Sequence, residues 1–167
     1  MKFAIYVVSV LLSSVTGRAW LTRRESDPGP DLSCLSTTCE NVYAPVFRIM
    51  SRPTFSYLIK DGRLSLDCSQ QTRTIADECQ SSSVNCFASI LLPDLAIALN
   101  LFCLHQTEIE EEASCWTSDN LPGAVVSCRY ENRVAFAECV YHRVSSLTEC
   151  TETTGAIFRQ LLLAFGP

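Results

Sequence analysis

The chain has 167 residues, of which 47% are hydrophobic and ten are cysteine, and its formal net charge is −5. That length suits one domain with a real core and argues against a knottin-like scaffold held by bridges alone, and the acidic balance disfavours nucleic acid and anionic lipid as partners. An even number of cysteines, all downstream of an apolar leader, reads as a disulfide framework and not as thiols or metal ligands.

Residues 1–18 have the parts of a secretory signal peptide: Lys2 as the charged start, an apolar run from Phe3 to Leu12, then Ser13, Ser14 and Gly17 as small residues. Cleavage after Gly17 and cleavage after Ala19 satisfy the small-residue rule equally. Removing the leader leaves 12 or 11 basic residues against 18 acidic ones. The expected location is secreted and extracellular. Residues 19–31 are polar and end in Pro28, Gly29 and Pro30, the pattern of a flexible lead-in, and residues 32–167 form the cysteine-rich domain.

Asp31 or Ser33 is placed to cap a first helix carrying Cys34, Leu35, Cys39, Val42, Tyr43, Val46, Phe47 and Met50 on one broad face, with Pro45 expected to kink or split it. Thr54 to Lys60 is short and apolar, and Asp61-Gly62 is a turn signal. Leu64, Leu66, Cys68, Ile75 and Cys79 suggest a second amphipathic helix. Pro93 suits the first residue of a long central helix running to about Cys115, apolar in its first half and acidic in its second. Ser118 to Gly123 (SDNLPG) reads as a loop. Val134, Phe136, Ala137, Val140, Tyr141 and Val144 mark another helix. Ile157, Phe158, Leu161, Leu162 and Phe165 mark a last one, opened by Thr151 or Thr153. Strand signals are weak throughout. The predicted fold is all-α, a disulfide-stapled bundle of about five or six helices, with no transmembrane segment after processing.

The cysteines are Cys34, Cys39, Cys68, Cys79, Cys86, Cys103, Cys115, Cys128, Cys139 and Cys150. Several neighbours are 11 apart, about 16 Å along a helix axis, whereas bonded Cα atoms lie within about 7 Å. Two such neighbours on one helix cannot pair, so the bridges must join different helices. About 945 connectivities remain open.

The C-x4-C opening, the triplet Cys68, Cys79 and Cys86, the helix ending LNLFCLHQTEIEEEASCW and the closing Cys128, Cys139 and Cys150 resemble the secreted cysteine-rich domain of nematode chondroitin proteoglycan 4 and its relatives, over roughly Leu32 to Phe165. The resemblance implies an extracellular helical domain without known enzymatic activity. It also implies chondroitin attachment, which begins on serine followed by glycine; this chain has no Ser-Gly dipeptide and no N-x-S/T sequon.

Chemistry is sparse. His105 and His142 are the only histidines, and no nucleophile elbow, zinc-protease motif or phosphate loop accompanies them. No catalytic residue, metal ligand or cofactor is expected. From Thr74 to Ser127 there is no lysine or arginine, while eight acids occur. Among these, Glu108, Glu111 and Glu112 fall at i, i+3 and i+4 on one helix face, with Glu110 turned away, and form a candidate surface for a basic partner. The expected function is therefore a non-enzymatic extracellular structural or interaction module binding a protein or matrix component. The alternative is a carrier of lipid or another small apolar ligand.

Overall fold

The computed structural model describes residues 35–51, 55–82, 91–129 and 131–164. The leader, the flexible lead-in, Cys34, Cys86 and Phe165 lie outside these residues. Eight helices and one two-stranded hairpin occur among them: α1 (Thr37–Ser51), β1 (Ile59–Lys60), β2 (Arg63–Leu64), α2 (Gln70–Ser82), α3 (Leu92–Leu104), α4 (Gln106–Glu111), α5 (Ala113–Trp116), α6 (Asn120–Val126), α7 (Arg133–Ser145) and α8 (Glu152–Ala164). The all-α class holds, with more helices than the five or six expected.

Two of the additional helices come from the predicted central helix. It is interrupted at His105 (φ −102°, ψ 24°) and at Glu112 (φ −101°, ψ 29°), leaving α3, α4 and α5 in its place. The interruptions are mild, since His105 N–H still reaches Leu101 O at 3.1 Å and Glu112 N–H reaches Glu108 O at 3.0 Å. A third comes from SDNLPG, which is not a loop throughout: α6 begins at Asn120 and carries Pro122 and Gly123. Pro122 is tolerated because it is the third residue of the helix, where the missing N–H has no intrahelical acceptor. Leu121 and Val125, four apart, are both buried and hold the short helix to the core.

Local chemistry accounts for the other boundaries. Ser36 caps α1, accepting from Cys39 N–H at 3.3 Å, and the helix then runs through Pro45, which does not split it. The expected second helix begins only at Gln70, because Ser69 accepts from Thr72 N–H at 3.2 Å and Asp67 accepts from Ser69 N–H at 3.0 Å, fixing its start there. Leu64 therefore lies in β2 and Leu66 in the connection. Asp61 (φ 52°) and Gly62 (φ 75°) turn the hairpin, and two successive positive φ values are what a tight two-residue turn needs. Asn132 caps α7 by accepting from Ala135 N–H at 2.9 Å, and Thr151 caps α8 by accepting from Thr153 N–H at 3.1 Å.

The core collects one face of each long helix. Tyr43 and Val46 of α1, Leu92, Leu95, Leu99 and Phe102 of α3, Val140 and Val144 of α7, and Ile157 and Phe158 of α8 are all essentially solvent-free. The Tyr43 hydroxyl donates to Ala76 O of α2 at 2.8 Å, and burial, aided by the Asp77 charge, pushes its pKa up to about 12. Helices α7 and α8 form the most extensive pair, and Gly155 lets them approach closely.

Four disulfides cross-link these elements: Cys39–Cys79 ties α1 to α2, Cys68–Cys103 ties the segment before α2 to the end of α3, Cys115–Cys150 ties α5 to the start of α8, and Cys128–Cys139 ties the loop after α6 to α7. The last joins neighbours 11 apart, at a Cα separation of 5.8 Å. This is open to it because α7 begins only at Arg133, so Cys128 stands off the helix and folds back onto it.

Candidate functional site

The acidic segment at α4 and α5 is where the sequence concentrates its surface chemistry, and the fold divides its carboxylates between two tasks. Glu110 points inward to the hairpin, accepting from Leu64 N–H at 3.0 Å and from the Gln106 side chain at 2.9 Å. Glu112 is turned toward the start of α8, where its carboxylate accepts from the hydroxyls of Thr151 and Thr154 and from Thr151 N–H. Thr154 is fully buried, so this clasp gives its hydroxyl a partner that water cannot supply. Glu108 and Glu111 are the carboxylates left facing solvent. Glu108 has a 43% exposed side chain and lies 3.6 Å from Nδ1 of His105, whose Nε2 sits 3.0 Å from Gln160 Oε1 of α8.

Of the three glutamates assigned to one candidate surface, the structure therefore leaves Glu108 and Glu111 together and gives Glu112 an internal role. The sequence pattern could not reveal this, because Thr151 and Thr154 are 39 and 42 residues away. The histidines stay apart: His142 is exposed on α7 with its ring edge-on to Tyr141. The apolar face of α8 is core, with Ile157, Phe158 and Leu161 buried. Phe158 stacks on Trp116 at 5.0 Å between ring centroids, and Phe55 and Phe102 meet Trp116 edge-on.

All eight described cysteines are oxidised. Among the described residues no group of three His, Cys, Asp or Glu side chains is placed to hold a metal ion, and no helix is long and apolar enough to cross a membrane.

Three carboxylates are held charged by local donors. The Gln106 amide and then Leu64 N–H lower the Glu110 pKa; the Thr72 hydroxyl and then Ser69 N–H lower that of Asp67; and its own backbone N–H, the Thr148 hydroxyl and the Asn120 amide lower that of Glu149. A carboxylate with a depressed folded pKa adds stability above its unfolded value, and this is lost as pH falls through the folded one. The melting temperature is accordingly expected to be flat between about pH 5 and about pH 9, to fall below about pH 4, and to fall again above about pH 10, where the raised Tyr43 pKa makes alkali unfavourable to the fold. Glu110→Gln should make that acid slope shallower, and an unchanged slope would remove Glu110 from the effect.

The sequence matches no protein-family model, and no curated protein or solved structure matches the chain.

Proposed function

We propose that the chain is a secreted, non-enzymatic interaction module, rigidified by disulfides and presenting its surface to an extracellular protein or matrix component. The observation that carries this reading is the set of four bridges, which cross-link segments from α1 through to the start of α8. Such cross-linking persists in oxidising compartments and is rare where thiols are kept reduced. Redox chemistry is disfavoured because the described sulfurs are consumed as bridges. Histidine-based catalysis has no support either, since one histidine is exposed beside a tyrosine and the other is held between Glu108 and Gln160. The resemblance to the chondroitin proteoglycan 4 domain points the same way, without its Ser-Gly attachment signal.

A second reading, a carrier of an apolar ligand, draws on one observation. Among the described residues the buried Trp116 indole N–H has no hydrogen-bond partner, and the polar head of an amphipathic lipid would supply the acceptor that a buried donor ordinarily has.

Purified, oxidised protein applied to decellularised extracellular matrix separates the two. Retention that weakens from low to physiological ionic strength is expected for an acidic module meeting a basic partner. Saturable micromolar uptake of a fluorescent fatty acid, with no retention on matrix, would replace the module by the carrier.

A further inference from the structure

We infer that the outward stripe of α3 and α4, running Pro93, Ile97, Leu101, Leu104, Glu108 and Glu111, is a docking surface for a cationic amphipathic helix of an extracellular partner. The inference deepens the reading of the chain as an interaction module and rests on it. These residues are spaced by four, four, three, four and three positions, so on a helix they fall in one row. The interruption at His105 does not scatter the row, because Ile109 N–H reaches His105 O at 2.9 Å and the helical repeat carries on into α4.

The row changes character along its length. Its first part is mainly apolar: Pro93 and Leu104 are exposed and Ile97 and Leu101 half-buried, with the exposed Asn100 and the half-buried Asp94 flanking them. Leu104 is 70% exposed, the most open large apolar side chain among the described residues. Its second part is acidic, with Glu108 and Glu111 one turn and two turns beyond Leu104. No lysine or arginine from Thr74 to Ser127 offsets them within the segment. Glu110 and Glu112 are spent on the hairpin and on α8, which leaves the two outward carboxylates as the charges a partner would meet.

The surface is also held in place. The Cys68–Cys103 bridge closes one residue before Leu104, and contacts of His105 with Gln160 and of Glu110 with Leu64 N–H fix the segment that follows. A pre-ordered row loses little freedom on binding. An apolar stripe continuing into acid is complementary to a helix whose Leu-type residues lie beside Lys or Arg on one face. This recognition mode places apolar anchors at i, i+3 or i+4 and i+7. The negative end works against an anionic membrane as the occupant.

The test uses the full secreted, oxidised protein and three labelled synthetic peptides: a helical Leu/Lys amphipathic sequence, its Leu/Glu counterpart and a scrambled Leu/Lys control. Fluorescence anisotropy is expected to show saturable binding of the Leu/Lys helix alone. Leu104→Asp should weaken it about tenfold, and the double variant Glu108→Gln/Glu111→Gln about threefold with most of its salt dependence lost. Near-ultraviolet circular dichroism checks that each variant is folded, and the double variant decides the matter if Leu104→Asp is not. Equal binding of the Leu/Glu or scrambled peptide, or variants that bind as the parent does, would overturn the assignment. So would a dimer in sedimentation that Leu104→Asp dissociates, or Leu104-dependent partition onto phosphatidylserine vesicles. If the peptide fails while the protein is still retained on matrix, the stripe is wrong and the module reading stands; loss of both removes the module reading as well.

Discussion

Reduction at body temperature is expected to unfold this protein. Three of the four described bridges span 40, 35 and 35 residues. In the loop-entropy account each closure of that length contributes about 4 kcal/mol by restricting the unfolded chain, and the 11-residue Cys128–Cys139 closure about 3 kcal/mol. Domains of this size are stable by about 5 to 15 kcal/mol in total, so losing all of the bridges removes most or all of the margin. Thermal scans by circular dichroism, with and without reductant, read this directly, and a cooperative transition that reductant leaves unchanged would sink it. Removing bridges singly should rank them. Cys115→Ser/Cys150→Ser opens the longer of the two loops and leaves a hydroxyl where Cys115 is fully buried, so it should lower the melting temperature more than Cys128→Ser/Cys139→Ser.

The second large effect is expected from one methyl group. A Cβ at Gly155 would stand 2.2 Å from Ser145 Oγ, 2.8 Å from the Tyr141 carbonyl oxygen and 3.0 Å from a Tyr141 ring carbon. The Ser145 hydroxyl can rotate away; the Tyr141 carbonyl is part of the α7 backbone and cannot. Gly155→Ala gains about 1 kcal/mol of helix propensity, yet forcing α7 and α8 apart costs about 1 to 3 kcal/mol and spreads through the most extensive helix pair in the fold. The clash prevails, and the melting temperature should drop by several degrees. Gly123→Ala supplies the contrast, because it is also helical and nothing lies within 4 Å of its added Cβ. That variant is expected to be neutral or stabilising. Opposite signs for the two substitutions would tie the loss at position 155 to helix approach, and a stabilised Gly155→Ala would refute the clash.

What could be read along the chain was whatever neighbouring residues decide. The 3.6-residue spacing of Phe136, Val140 and Val144, the apolar row of α8 and the Asp61-Gly62 turn all depend on residues within a few positions of one another, and each is found where expected. The central helix shows the opposite case. Its interruptions at His105 and Glu112 go with contacts to Gln160, Leu64 and Thr151, which are 39 to 55 residues distant. The SDNLPG stretch carried strong Pro and Gly signals, but burial of Leu121 and Val125 outweighed them. The surface glutamates were half legible for the same reason: periodicity placed Glu108 and Glu111 on one face, and only the packing of α8 revealed that Glu112 serves it.

The pattern of bridges has a topological side. Cys39–Cys79 and Cys68–Cys103 overlap along the chain, whereas Cys115–Cys150 encloses Cys128–Cys139. Among the described residues no bridge crosses from one group to the other. The described bridges thus form two covalent cassettes joined through residues 104–114, the stretch that holds the exposed leucine and the acidic turn. Among the described residues the cassettes meet through packing of α3 on α8, through the rings of Phe55 and Phe102 against Trp116 and Phe158, and through the Glu112 clasp and the His105–Gln160 contact. Large-scale opening should therefore part the cassettes along this seam before either comes undone, as cooperative units of a fold separate at their weakest join.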